Sequence, residues 1–291
     1  MNKNTAFITV HGMGNTPRDY ATEIETTLSR RLKQDACKVH FGSIYYQDIL
    51  QPNEKRVWDA LKPSLRWQDF REFILYGFAD ATGLEANKDG PSSPYTQAQV
   101  KIAHALLKAH GEVGDDGSLV ILAQSLGCQV ISNFFWDAQR SIQNPGPAHG
   151  IWQSIQGFAS VISGHPSLQE SEIAFLRGQS LKTLVTTGCN IPIFVAAHAR
   201  DRILPIRPNA QFQWHNYYDV DDVLGWPLAK LSSEYADVVK DFPINAGGGF
   251  AGWLAKSWNP LAHEQYWTDD DVLDPLEECL RRCIRAQVTP S

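Results

Sequence analysis

The pentapeptide Ala123-Gln124-Ser125-Leu126-Gly127 carries the strongest chemical signal in the chain. It follows the apolar, β-branched run Ser118–Ala123 and precedes a helical pattern that extends to about Arg140. A serine between small residues at a strand-to-helix turn is the pattern of a nucleophile elbow, with Ala123 where Gly is commoner. Small neighbours are expected because the turn is strained and the residues two before and two after the serine crowd together there. Such a turn sets an exposed Ser125 Oγ at the carboxyl end of a sheet. It also lets the Leu126 N–H, at a helix N-terminus, face a developing oxyanion. The competing reading is a serine that merely caps the helix opening at Leu126. The strand–turn–helix context favours the nucleophile.

A second motif, His11-Gly12-Met13-Gly14, directly follows the apolar run Ala6–Val10. A glycine-bearing loop here allows backbone N–H groups to approach a substrate carbonyl, and the Met13 N–H is the expected second oxyanion donor beside that of Leu126. Each such donor contributes roughly 3–4 kcal/mol to a transition state. Alone, the motif reads more readily as a glycine turn with a structural His11; paired with the elbow it gains a chemical meaning. His11 precedes Ser125, whereas the order expected of a triad is serine, acid, histidine. His149 and His165 follow Ser125 too closely to leave room for further strands, and His198 and His215 precede the favoured acids. His263, in a loop before the terminal helix, remains as the base, against the plainer reading of a surface loop histidine. The acid is expected just beyond a strand, and Tyr218-Asp219-Val220-Asp221-Asp222-Val223 follows the run Phe212–Tyr218. Asp221 and Asp222 are the main candidates. Strand alternation places Asp219 and Asp221 on one side and Asp222 on the other, if the extended conformation persists that far. Asp201, in Asp201-Arg202-Ile203-Leu204-Pro205, is a rival that lacks a clear strand before it.

The elements that must position these groups alternate in type. Strands are expected at Ala6–Val10, Lys38–Tyr46, Ser118–Ala123, Leu181–Thr187, Phe212–Tyr218 and, more weakly, Val238–Asn245. Helices are expected at Thr22–Lys33, Tyr95–His110, after Ser125, and at Asp274–Ala286. The aromatic-rich stretch Val57–Gly83 has roughly helical spacing. Alternating strands and helices predict a mostly parallel sheet covered on both faces. The 291 residues suit one large α/β domain spanning 1–291, with a helical cap insertion around 50–95.

Composition narrows the function classes. Hydrophobic residues make up 43% and charged residues 20%, which is ordinary for a globular chain. A net charge of -6 without a basic stripe argues against a nucleic-acid partner. No stretch approaches the ~20 apolar residues of a transmembrane helix, and Ala6–Val10 is too short for a signal-peptide core, so a cytoplasmic location is expected. Five scattered cysteines fit free thiols in a reducing compartment. Cys279 and Cys283 share a helix face, but nothing nearby completes a metal-ligand set. Neither metal nor cofactor is expected.

Taken together, His11–Gly14, Ala123–Gly127, Asp221 and His263 occur in an order that resembles the α/β-hydrolase superfamily, in particular its lipase and esterase branches. Asp221-Asp222-Val223-Leu224-Gly225-Trp226-Pro227-Leu228 is also similar to the acid loop of intracellular phospholipases of the DDHD type. There Asp-Pro-Val precedes a small residue and an aromatic one; Asp222 takes the place of that proline. The resemblance selects Asp221 over Asp222 and Asp219, and spans nearly the whole chain. It implies an α/β-hydrolase fold and a carboxylic-ester hydrolase working through an acyl-enzyme. Ser125, His263 and Asp221 would form the triad and Met13 and Leu126 the oxyanion hole, with a small-molecule or lipid ester as substrate. The same triad serves an acyltransferase, thioesterase or peptidase, and the same scaffold serves a catalytically silent binding protein.

Overall fold

The computed structural model describes residues 3–143, 148–199, 202–245 and 266–286. Six β-branched and aromatic segments form strands: β1 (Thr5–Val10), β2 (Val39–Ile44), β3 (Ser118–Gln124), β4 (Leu181–Thr187), β5 (Gln213–Asp219) and β6 (Val239–Ile244). Among the described residues they make a single sheet in the order β2-β1-β3-β4-β5-β6. Every pairing is parallel. Parallel neighbours cannot be joined by a tight turn, so helices fill the crossovers and cover both faces. The protein has an α/β fold, in keeping with the α/β-hydrolase class.

The pleat sends alternate residues to opposite layers. From β1 and β3, Phe7, Val120 and Leu122 face α1 (Thr22–Leu32) and α10 (Asp270–Ala286). Ala6, Ile8, Val10, Leu119, Ile121 and Ala123 face the opposite layer, which holds α4 (Pro94–Val113) and α5 (Leu126–Gln143). Helix α1 buries Ile24, Leu28 and Leu32, spaced by four, and sends its charges outward. In α10, Val272, Leu276, Cys279, Leu280 and Cys283 make the corresponding stripe.

Two departures from the sequence pattern have local causes. The aromatic stretch forms two helices, α2 (Gln51–Leu61) and α3 (Gln68–Glu85), separated by a 3₁₀ turn at Lys62–Ser64. Pro63 lies at that break, where it has no N–H to offer a continuing helix, and Trp67 enters α3 in the left-handed conformation with φ of 56°. The terminal helix starts at Asp270, one turn before the expected Asp274. Pro275 therefore sits inside α10, close behind an acidic first turn. Helices α6 (Ala159–Ser163), α7 (Glu170–Leu176), α8 (Ile191–Val195) and α9 (Ser233–Ala236) are too short to show a periodic pattern in the sequence. Among the described residues no helix is long and apolar enough to cross a membrane.

Candidate active site

Strand β3 ends at Gln124 and α5 begins at Leu126, so Ser125 alone makes the turn. Its φ of 52° is the left-handed conformation, which costs a non-glycine residue on the order of 1 kcal/mol or more. The turn is held from the sheet side: Ser125 N–H donates to Thr187 O at the end of β4 (3.0 Å), and Cys128 N–H donates to Ser125 O (3.0 Å). Ser125 is buried rather than exposed, at 1%. Its Oγ has no hydrogen-bond partner among the described residues, yet Ser125 lines a cavity of about 570 Å³ together with Gly12, Met13, Tyr20, Tyr76 and Trp267. A buried hydroxyl without a partner forfeits about 1–3 kcal/mol, so it needs a reason to be there. Leu126, as the first residue of α5, has an N–H with no acceptor inside its own helix.

The loop after β1 lies against this turn because β1 and β3 are neighbours in register, with Val10 opposite Ala123. Contact between the two segments is backbone to backbone. A methyl on Gly12 would stand 2.9 Å from Ser125 Cβ, and one on Gly127 would stand 2.3 Å from His11 O. Gly127 is therefore small because β1's end presses on α5. The expected reason, crowding by Ala123 across the turn, is not the limiting contact.

His11 is buried and neutral, with burial pulling its pKa down to about 4. Tyr46 N–H donates to its Nε2 (3.1 Å), which leaves the proton on Nδ1, 2.7 Å from Gly12 O. Tyr46 Oη adds contacts to His11 O (2.9 Å) and Gly12 O (3.2 Å). Both ring nitrogens are thus engaged, and His11 has none left to serve as a base. Its contribution is to fix the Gly12 carbonyl. In a trans peptide the next N–H points the opposite way, so the direction of the Met13 N–H is set by the same contacts.

Sequence patterns did not reveal the brace on the far side of this loop. Asp80 of α3, fully buried, accepts the Gly14 N–H (2.9 Å) and the Gln47 side-chain amide (3.0 and 3.3 Å). Gly77, one turn earlier, leaves room for the Met13 side chain, since a methyl there would stand 2.7 Å from Met13 Sδ. Glu54 of α2 is buried beside Asp80, and its carboxyl oxygens make no hydrogen bond of ordinary geometry among the described residues. Burial, reinforced by the Asp80 carboxylate, pushes the Glu54 carboxyl up to about 9. Asp80 is also raised, chiefly by its own burial. Helix α3 thereby holds the His11–Gly14 loop through Asp80, with Glu54 of α2 buried behind it.

No protein-family model matches this chain, and no curated protein matches it.

The acidic turn after β5 sorts its three carboxylates by burial. Asp219 and Asp222 are buried and Asp221 is exposed. The expected alternation stops at Asp219 because the chain turns there: Asp222 N–H donates to Asp219 O (3.2 Å) and Asp221 N–H to Asp219 Oδ1 (2.8 Å). Asp222 is held at both oxygens, by the Leu224 N–H (2.9 Å) and by the Tyr266 hydroxyl (2.8 Å). The same hydroxyl accepts the Asp219 N–H (2.9 Å). Gly225 is required beside them, since a methyl would stand 2.8 Å from Asp222 Oδ2. His263 and Asp201 lie outside the described residues. Of the other histidines, His149 pairs with Asp89 (2.7 Å), and His215 faces Phe242, its pKa lowered by burial to about 4. Cys279 and Cys283 are buried, with Cys279 Sγ 3.1 Å from Thr183 Oγ1. Among the described residues no third ligand joins them to hold a metal.

Proposed function

We propose that this protein is a serine-dependent carboxylic-ester hydrolase of the α/β-hydrolase type, with Ser125 as its nucleophile. The observation that carries the reading is the Ser125 hydroxyl itself. It is buried and without a partner among the described residues, on a left-handed residue at a strand-to-helix turn that lines a cavity. Phe73 and Tyr76 of α3 and Trp267 supply apolar wall for the acyl part of an ester.

In the proposed cycle Ser125 Oγ bonds to the ester carbonyl carbon while His263 takes the hydroxyl proton. The carbonyl oxygen becomes an oxyanion, received by the Met13 and Leu126 N–H groups. The carbonyl re-forms, the bond to the alcohol oxygen breaks, and His263 returns its proton to that leaving group. Water, deprotonated by His263, then attacks the acyl-enzyme and releases the acid, restoring Ser125. For the acid that orients His263, burial favours Asp222 in place of the Asp221 chosen by spacing. A buried carboxylate fixed by neighbouring donors is what keeps an imidazole in one tautomer. The Tyr266 hydroxyl that holds Asp222 also stands only three positions after His263 in the chain.

Fluorophosphonate labelling together with hydrolysis of p-nitrophenyl esters of increasing chain length tests the assignment. Wild type is expected to label and turn over, and Ser125→Ala to do neither while keeping its fold. Turnover by Ser125→Ala within tenfold of wild type would sink the nucleophile assignment.

A further inference from the structure

Helix α3 divides its aromatic residues between two faces. Phe73 and Tyr76 line the cavity, whereas Phe70, Ile74 and Phe78 recur at a spacing of four along another side, with Trp67 just before the helix. On that side Trp67 is 78% exposed and Phe78 67%, and Phe70 is exposed as well. Val57 and Leu61 of α2, spaced by four, are exposed too, and α2 packs on α3. Nearly half of the exposed large hydrophobic residues of the described structure stand on this one helix pair. Scattered apolar residues on a surface need no explanation, but a cluster of large ones does.

Most exposed charges of these two helices and of the turn between them are cationic. Lys55, Arg56, Lys62, Arg66 and Arg71 are all exposed, against Asp59 and Asp69 within residues 55–71, in a chain of net charge -6. Lys55 pairs with Asp59 (2.7 Å) and Lys62 lies over the Trp58 ring. Arg56, Arg66 and Arg71 make no ion pair among the described residues. At the tip between the helices, the left-handed backbone of Trp67 holds the indole out of the fold.

We propose that this face docks the protein on an anionic lipid membrane. Trp67, Phe70 and Phe78 would sit in the headgroup layer, and Arg66 and Arg71 beside them, unpaired among the described residues, would meet lipid phosphates. Helices that lie in a membrane interface combine Trp and Phe on one side with Lys and Arg flanking them, and the long basic side chains snorkel to the charged layer. A second copy of this chain is a poorer occupant. A two-fold contact would press the same patch of both copies together and so bring two net-cationic surfaces into one interface. The docked face borders the mouth of the cavity through α3, but the proposal does not depend on what reacts there.

Co-sedimentation of the full chain with phosphatidylcholine vesicles, with and without phosphatidylglycerol, tests this. Wild type is expected to bind the phosphatidylglycerol vesicles about tenfold or more tightly than pure phosphatidylcholine, with binding weakened by salt. Trp67→Ser/Phe78→Ser and Arg66→Glu/Arg71→Glu alter only exposed side chains, and unchanged thermal melting would confirm that they fold. Each is expected to lose about tenfold or more of the binding. Equal binding to both vesicle types, no binding to either, or binding unchanged in both folded variants overturns the proposal. So does a lipid-free dimer, seen by sedimentation velocity, that Trp67→Ser/Phe78→Ser dissolves, which would assign the face to a second copy.

Discussion

At the scale of single residues, the site is marked by groups that its surroundings under-satisfy or over-determine. Ser125 combines backbone strain with a buried hydroxyl that no described residue partners, two costs that a residue serving the fold alone would not keep. Asp222 is the reverse, a buried carboxylate tied at both oxygens. That contrast makes the acid assignment testable. Asp222→Asn is expected to lower kcat for a p-nitrophenyl ester by roughly 10⁴, because an amide favours the wrong histidine tautomer. His263→Ala should be comparable. Asp221→Asn, on an exposed side chain, is expected to cost less than about tenfold. If Asp221→Asn is instead the damaging change, the spacing argument was the better guide. Asp219→Asn is the discriminating control, since it alters the turn while leaving both oxygens of Asp222 in place.

At the scale of elements, the loop after β1 is clamped from two directions. The β3–α5 turn presses on it through Gly12 and Gly127, and α3 reaches it through Asp80, against which Glu54 of α2 is buried. The second clamp carries a pH signature. Folded Glu54 keeps its proton up to about 9, whereas an unperturbed glutamate ionises near 4.5. Between those two pH values the unfolded chain has lost a proton that the folded chain retains, so this residue draws stability down as pH rises. Glu54→Gln has no proton to lose. Its melting temperature relative to wild type is therefore expected to climb steadily from about pH 4.5 to about pH 9. Thermal scans across that window read the difference directly, and a difference that does not change with pH would show that Glu54 ionises normally.

At the scale of the whole molecule, α10 closes one face of the sheet by packing beside α1 on Phe7, Val120, Leu122 and Val185. The helix is attached through seven buried side chains, Val272, Leu273, Leu276, Cys279, Leu280, Cys283 and Ile284. Leu280 is completely buried in that layer. Leu280→Ala is expected to destabilise the fold by about 2–5 kcal/mol, through lost burial and the cavity left behind. On the exposed side of the same helix, Glu278→Ala should change stability by no more than about 0.5 kcal/mol. Urea unfolding followed by circular dichroism measures both. Equal effects would mean that α10 does not pack as described.

Much of this architecture is legible without coordinates. Leu181–Thr187 has the same bounds as a pattern and as β4, and Ser118–Ala123 and Thr22–Lys33 each differ from β3 and α1 by one residue. These segments speak through local periodicity: a buried parallel strand is apolar throughout, and a helix beside it shows a stripe spaced by three and four. The Ala123–Gly127 and His11–Gly14 motifs are legible for the same reason, since each lies within a few residues of chain. What the sequence does not disclose is decided between distant residues. Asp80 stands 66 positions from the Gly14 N–H that it accepts, and Tyr266 stands 44 from the Asp222 that it holds. The three acids after β5 look alike in the chain, and only the turn at Asp219 and the packing of Tyr266 separate buried from exposed. Gly127 is readable as a small residue, but the carbonyl that requires it belongs to β1. Periodicity reports which side of its own element a residue occupies. Burial and hydrogen bonding of a polar group depend on which other elements arrive there, and that is settled only when the sheet and its helices assemble.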